Sequence, residues 1–436
     1  MNIITIDCGA SFIKGAVFCN EQLIKQINKQ APLVHSSENA KDTSQIKALL
    51  PIIKYFIKEL AENEKEVKFC ISNEMHGFIL TDTNKTPYTD YISWQKEYGN
   101  IEINGTTALK ELAKESFSDD ILKTGMPLRA GLPSVNLLYL KYLGVLDNSK
   151  VLNFYTLGDY ILASLSGKDV FCHPTNAAAT GLYNLIESNW NEKIISFVSK
   201  ENIHFPKIGT KEIVFELDGI IIHALPALGD QQAALLGSGV NKENILSFNL
   251  GTGAQVSTAV KTFELSDRYQ IRPYFNGLYL KTIPHLPSGR SLNVYIRFLK
   301  DICLAFHFKV EDDEIWKVVL DKTKSAHWTD MSCDLSFFDN PITNYNRGNI
   351  SQIGEYDLEL GTLFKTIFNK MSENFIWAAK NICIDKNNIN KIIFSGGIAR
   401  KIKPIRDGIL EEYKNIKSVV SENETLLGLK KYGEIN

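Results

Sequence analysis

The first eighteen residues, MNIITIDCGASFIKGAVF (1–18), decide how this chain is read. Residues 2–7 are β-branched and apolar up to Asp7, which predicts a strand. Residues 8–11 carry the small residues of a turn, and 12–18 predict a second strand. Asp7 closes the first strand. Gly9 permits either a positive φ or the close approach of an anion. Ser11 offers a hydroxyl and a backbone N–H, and Lys14 is either a positive group for a ligand or a solvated one. A strand–Gly/Ser turn–strand hairpin holds phosphate with successive N–H groups. A carboxylate beside it suits hydrated Mg²⁺, which takes one or two carboxylates plus phosphate oxygens. The same residues also make an ordinary hairpin turn.

The device recurs. SFNLGTGAQVSTAV (247–260) is again strand, small-residue turn, strand, with Gly251, Thr252 and Gly253 at the bend. KIIFSGG (391–397) is a strand running into Gly396 and Gly397, where a flat or anionic ligand could approach the backbone. None is a Rossmann fingerprint or a P-loop. Apolar strands ending in glycine turns near 7, 251 and 396 predict two α/β lobes, 1–239 and 240–436. Between them the pattern predicts a helix over about 44–65, a strand at 67–72 and a mostly helical stretch from 106 to 165. A long helix is expected over 356–384 and another from about 402. The Asn- and Lys-rich stretch 381–391 reads as surface loop.

Composition sets the class. The chain has 436 residues, 44% of them hydrophobic, enough for two sizeable cores and against wholesale disorder. With 48 Lys and Arg against 50 Asp and Glu the net charge is −2, so no positive excess argues for nucleic acid or an anionic membrane as partner. The N-terminus has no basic segment before its apolar run, and no run approaches about 18 apolar residues, so a cytoplasmic protein with a mature start is expected. The seven cysteines are scattered, without a C-x-x-C pair, and the eight histidines form no metal-binding spacing. They are expected as reduced, mostly buried fillers. The chain is expected as a monomer or homodimer.

PALGDQQAALLGSG (226–239) places Asp230 before a helical run. Asp230 is there either a helix N-cap or a carboxylate held at a helix start for catalysis. Phosphoryl transfer to a hydroxyl needs a carboxylate beside the acceptor oxygen and N–H donors around the transferring group. ISNEMHGFILTD (71–82) carries Met75 and His76 at a strand end, and YISWQK (91–96) adds the flat face of Trp94 and the amide of Gln95. Such groups suit a polyol, and equally a core.

Taken in order, these blocks resemble the FGGY carbohydrate kinases of the sugar kinase, actin and heat-shock chaperone superfamily, most closely the sedoheptulokinase members. The resemblance spans essentially the whole chain. It rests on DCGASFIK (7–14), MHGFILTD (75–82), SWQ (93–95), NAAATGLYNLIESNWNEKI (176–194) and ALGDQQAALLGSG (227–239). NLGTGAQVS (249–257), FNGLYLKTIPHLPSGRSLNV (275–294), FSGGIARK (394–401) and ENETLLGLK (422–430) complete it. It implies two ribonuclease-H-like lobes with an interlobe cleft, sugar held by the first and ATP by the second. It implies Asp230 as catalytic base, with Asp7, Gly9, Ser11 and Lys14 near phosphate and Mg²⁺, the ion on Asp7 through water. Gly251, Thr252 and Gly253 would take phosphate, Gly396 and Gly397 the adenosine side. Met75, His76, Trp94, Gln95 and Asp230 would meet the sugar. The reaction implied is transfer of the γ-phosphoryl of ATP to a ketose, sedoheptulose giving sedoheptulose 7-phosphate. Another ketose or polyol (D-xylulose, D-ribulose, L-rhamnulose, glycerol) and a non-catalytic actin-like nucleotide binder are the alternatives. Three departures stand out. Lys96, Glu97 and Tyr98 follow Gln95 where members carry an Asp and often an Arg, which alters the ketose that fits. Asn136 and Tyr139 replace a common Lys and Trp. The chain is short, which implies trimmed loops.

Overall fold

A computed structural model describes residues 1–32, 43–343, 345–383, 385–422 and 424–436. Ile384 of the Asn/Lys-rich stretch and Asn423 of the 422–430 block lie outside the described residues. Two compact units result. The first comprises Met1–Gly239, Thr262–Tyr279 and Asn423–Asn436, the second Val240–Lys261 and Leu280–Glu422. The chain thus passes to the second unit after Gly239, but two segments expected there, 262–279 and 424–436, fold with the first.

The first unit is built on a mixed sheet in the order Ile213–Leu217, Ile220–Ala224, Glu66–Asn73, Asn2–Cys8, Phe12–Cys19, Gln22–Gln30. The opening hairpin pairs Asp7 with Lys14 across the antiparallel ladder. Asn2–Cys8 lies parallel to Glu66–Asn73, with Asp7 opposite Ser72. The helix Ser44–Ala61 covers one face because Ile46, Leu49, Ile53, Phe56, Ile57 and Leu60 recur every three or four residues and are all buried. The expected helical stretch 106–165 is broken. Helices Ala108–Leu112, Ser118–Lys123, Pro133–Tyr142 and Leu157–Ser166 form, but Leu152–Tyr155 is a strand, paired with Ile79–Thr81 and Ile203–His204. Its four residues, LNFY, are too few for a helix and hold the bulky apolar groups a buried strand uses.

The helix Asp230–Ser238 is fixed by the last helix of the chain, Glu424–Ile435. Two glycines allow the approach. A Cβ on Gly237 would sit 1.7 Å from the Glu424 carbonyl, and one on Gly428 would sit 1.8 Å from the Ala233 carbonyl. Lys431 Nζ donates to the carbonyls of Leu236 and Gly237, a cation at the negative end of the helix. Gly428→Ala is therefore expected to cost about 1–3 kcal/mol through overpacking against backbone that cannot move aside. Urea denaturation measures it, and an unchanged midpoint would remove this contact from the account.

The second unit repeats the scheme. Its sheet carries, in order, Tyr279–Leu286, Ala254–Val260, Ile245–Leu250, Lys391–Ser395 and Lys417–Val420. Ile245–Leu250 runs antiparallel to Ala254–Val260 and parallel to Lys391–Ser395. The long helix Leu360–Ile382 buries Phe364, Ile367, Phe368, Met371 and Phe375. After Gly396 the chain forms a short helix, Gly397–Lys401, before the expected one at Lys403–Glu412. Both units are α/β with mixed sheets of the ribonuclease-H-like kind. The seven cysteines are unpaired, with Cys8, Cys70, Cys172 and Cys333 buried. No helix among the described residues is long and apolar enough to cross a membrane.

Candidate active site

In the first unit three carboxyl groups lie at the ends of neighbouring parallel strands. Asp7 closes Asn2–Cys8, and Glu74 follows Glu66–Asn73. Asp230 follows the two-residue strand Leu228–Gly229, whose Gly229 lies opposite Asn73. Strand ends of this kind are where open α/β sheets bind ligands. Asp230 is the first residue of its helix, with Gly229 as the cap residue. It is therefore not the N-cap, and its Oδ1 accepts the Gln231 N–H at 2.8 Å.

The cluster is electrostatically costly. Burial, then the charge of Asp7, push the Asp230 carboxyl up to about 7, against the Gln231 N–H and Arg272. Burial lifts Asp7 to about 6, although Ser72 Oγ donates to its Oδ1 at 2.9 Å and Lys14 lies nearby. Burial raises Glu74 to about 7, and its Oε1 has no hydrogen-bond partner. Asp230 feels the charge of Asp7, and Glu74 that of Asp230, so these buried carboxyls resist ionising together. A cation would relieve them. Among the described residues no three metal-ligating side chains converge, so the protein alone offers no cage. Asp7 fits the single-carboxylate, water-rich ligation that Mg²⁺ favours.

The remaining first-unit candidates divide. Met75 is buried, with Sδ 3.6 Å from Arg272 Nη1. His76 holds a positive φ of 66°, and its Nδ1 lies 2.6 Å from the Ala179 carbonyl. Nδ1 must carry the proton for that bond, so in the neutral ring Nε2 is the bare nitrogen. Trp94 and Gln95 lie on an exposed turn, Trp94 being 45% exposed. Gly131 packs on the Trp94 carbonyl, where a Cβ would stand 1.9 Å away. Gly9 lacks the positive φ it could have supplied. Its N–H closes the hairpin onto the Phe12 carbonyl at 3.2 Å. Ser11 and Lys14 are exposed.

Sequence reading missed Arg272. This arginine is 3% exposed, donates through Nη1 to Gln231 Oε1 at 3.0 Å and through Nη2 to Gln270 Oε1 at 2.6 Å, and leaves Nε unpartnered. It fixes the residue after Asp230. Its signal was the arginine three residues before the 275–294 block, in a segment expected in the other lobe. Arg129 and Glu74 were likewise missed, and burial pulls both Arg129 and Arg272 down to about 10. Asn176 and Thr175 brace the strand that leads into Asp230. Asn176 Nδ2 donates to Asn73 Oδ1 and the Ala227 carbonyl, while Gly229 N–H donates to Thr175 Oγ1.

In the second unit the other glycine turns come together. Leu250 and Ala254 bracket Gly251–Gly253, with Thr252 exposed. Ser288 Oγ and the Gly289 N–H donate to the Gly251 carbonyl, and the Arg290 N–H donates to that of Thr252. The start of a helix thus takes up the carbonyls of the turn. Gly396 adopts φ 87°, and a Cβ there would stand 2.4 Å from the Leu250 carbonyl. Cβ atoms on Gly253 or Gly397 would meet nothing within 4 Å, so packing does not require glycine at either.

Residues 2–237 match the model for the N-terminal domain of the FGGY family of carbohydrate kinases. A glycerol kinase of Rhizobium meliloti (strain 1021) is 23% identical over 272 residues, 58% of this chain and 53% of its own length. A probable L-xylulose kinase of Pasteurella multocida (strain Pm70) is 24% identical over 320 residues, 68% of this chain and 63% of its own. The matched stretches therefore span from about half to under two thirds of these relatives. Two crystal structures from Lactobacillus acidophilus share the fold over the whole chain and 90% of theirs. One is a ligand-bound xylulose kinase (TM-score 0.83, 19% identity), the other a gluconate kinase (TM-score 0.84, 20% identity). None of these singles out a seven-carbon ketose.

Proposed function

The chain belongs to the FGGY family of carbohydrate kinases, and from that premise we propose that it transfers the γ-phosphoryl group of ATP to a terminal hydroxyl of a sugar or polyol. The observation that carries this reading is the Asp230 carboxyl, held at a helix start beside Asp7, with its proton affinity raised to about 7. A base poised near neutrality can take the acceptor proton as the hydroxyl attacks. Gln231, the next residue and clamped by Arg272, would orient the acceptor together with His76. The backbone turns at 251–253 and 396–397 hold the nucleotide, so ATP falls to the second unit and the sugar to the first. Asp7 would hold Mg²⁺ through water, and that ion would supply charge neutralisation on the phosphates.

For the acceptor we propose sedoheptulose, giving sedoheptulose 7-phosphate. The SWQ and FNGLYLKTIPHL blocks support it. Lys96, at the place of a common carboxylate, supports the second reading, a shorter ketose or polyol such as D-xylulose, D-ribulose, L-rhamnulose or glycerol. Coupled measurement of ADP release across these acceptors decides. The highest kcat/KM is expected with sedoheptulose, and a higher value with any other moves the assignment to that sugar.

A further inference from the structure

A cavity of about 340 Å³ opens in the first unit, and none of its lining residues belongs to the acceptor cluster around Asp230. Its floor is aromatic. His173, Tyr183, Tyr274, Phe275 and Tyr432 are all buried, and half-buried Tyr279 continues the wall. The rings pack on one another. His173 lies 5.6 Å edge-on from Tyr432 and 6.1 Å from Phe275, and Tyr274 lies 4.9 Å from Phe275. The rim is polar and exposed, carrying Ser188, Thr210 and Asn276. No Lys, Arg, Asp or Glu side chain lines it among the described residues.

That lining selects its ligand. An anion would enter without a Lys or Arg side chain to pair with it, which is costly. Aromatic faces bordered by hydroxyls and a planar amide suit a molecule with one C–H face and a rim of hydroxyls. The volume is at the low end for small-molecule sites, enough for a sugar ring and little more. One polar group on the floor is fixed by the backbone beside it. The Thr175 N–H donates to His173 Nδ1 at 3.2 Å, so Nδ1 is bare and the ring proton sits on Nε2 as a donor. Burial holds the ring neutral, its pKa near 3.

Two lines of covalent and hydrogen-bonded contact run from this cavity to Asp230. Thr175 Oγ1 lies 2.9 Å from His173 Nδ1 and accepts the Gly229 N–H at 3.2 Å, one residue before the base. Pro273 and Tyr274 of the cavity follow Arg272, which grips Gln231, one residue after it. The peptides on both sides of Asp230 are thus tied to cavity walls.

We infer that this cavity binds one uncharged monosaccharide, apart from the acceptor's place, and that its occupancy is felt at Asp230. Binding stands independently of the kinase reading, whereas the effect on turnover rests on it. Calorimetric titration of the chain with D-glucose, D-xylose, D-fructose and D-xylulose tests the site, with and without two rim changes. Thr210→Trp fills the mouth from an exposed loop, and Asn276→Gly removes the amide while keeping the positive-φ turn. Asp230→Asn serves as the reference that spares the cavity. The expected result is a sugar equivalent retained in Asp230→Asn, weakened at least tenfold by Thr210→Trp and severalfold by Asn276→Gly. Failure of the four sugars to bind, or binding that neither rim change weakens, overturns the site. Binding of adenosine there in place of sugars overturns the ligand class. For the coupling, a bound sugar that is not itself phosphorylated should change kcat severalfold in the parent chain and not in Thr210→Trp. Equal kcat with and without it overturns the coupling. Absence of phosphoryl transfer to all acceptors overturns the kinase reading and the coupling together, while the binding arm still stands or falls alone.

Discussion

Replacing Asp230 by asparagine is expected to lower kcat by about 10²–10⁴-fold, the usual contribution of a positioned base, with the acceptor KM little changed. Asparagine keeps the shape and the bond from the Gln231 N–H but cannot take a proton. In the parent chain kcat/KM should rise with pH through an apparent pKa near 7 and level off above it, because the base works ionised. That apparent value belongs to the cluster of Asp230, Asp7 and Glu74 rather than to one carboxyl. The same shift makes a second, opposite prediction. The folded-state pKa lies above the ordinary carboxylate value of about 4, so between about 4 and about 7 the folded chain binds more protons than the unfolded one. Stability falls as pH rises through that window. Asp230→Asn should therefore unfold at higher urea than the parent at pH 8, with the gap closing towards pH 4. A variant as active as the parent, or one less stable at pH 8, contradicts this account of the site.

Gly396→Ala is expected to strike the nucleotide side. Its φ of 87° and ψ of 163° lie where essentially only glycine goes, and the added Cβ would press on the Leu250 carbonyl at 2.4 Å. Strain of this kind costs about 1–3 kcal/mol. Moving the turn away from Leu250 would displace the backbone proposed to hold ATP, raising its KM about tenfold or more, since 1.4 kcal/mol is a factor of ten. The acceptor KM should stay close to the parent value. Gly397→Ala is the informative partner. Its Cβ meets nothing within 4 Å, so the fold tolerates it, and any rise in the ATP KM then reports the ligand itself. A Gly396→Ala variant with parental ATP and sugar constants would remove this turn from the nucleotide site.

Local pattern revealed the parts whose physics is local. Asp7, Gly251 and Gly396 each mark an apolar strand meeting a small-residue turn, and all three strands are present. The strand Gln22–Gln30 was not legible, because an edge strand needs no apolar face. Its residues are mostly exposed, and Lys25 and Lys29 protect an edge that pairs on one side only. Arg272 was hidden for another reason. A buried arginine is recognised by what it touches, and Gln231 is 41 residues away in sequence. Glu74 looked like part of a loop, since only the parallel pairing with Leu228–Gly229 brings it level with Asp230. The glycines of the 227–239 and 422–430 blocks lie far apart in sequence, yet Gly237 and Gly428 serve one helix contact. Position in three dimensions supplied each of these, and no spacing in one dimension encodes it.

The central claim is that this chain moves a phosphoryl group from ATP to a sugar hydroxyl with Asp230 as the base. Phosphorus NMR of the purified chain with MgATP and each of sedoheptulose, D-xylulose, D-ribulose, L-rhamnulose and glycerol tests it most directly. The account predicts a new phosphomonoester resonance with at least one acceptor, growing as the γ-phosphate signal falls, and nearly absent with Asp230→Asn. No phosphomonoester with these acceptors, or an equal one from Asp230→Asn, would contradict it.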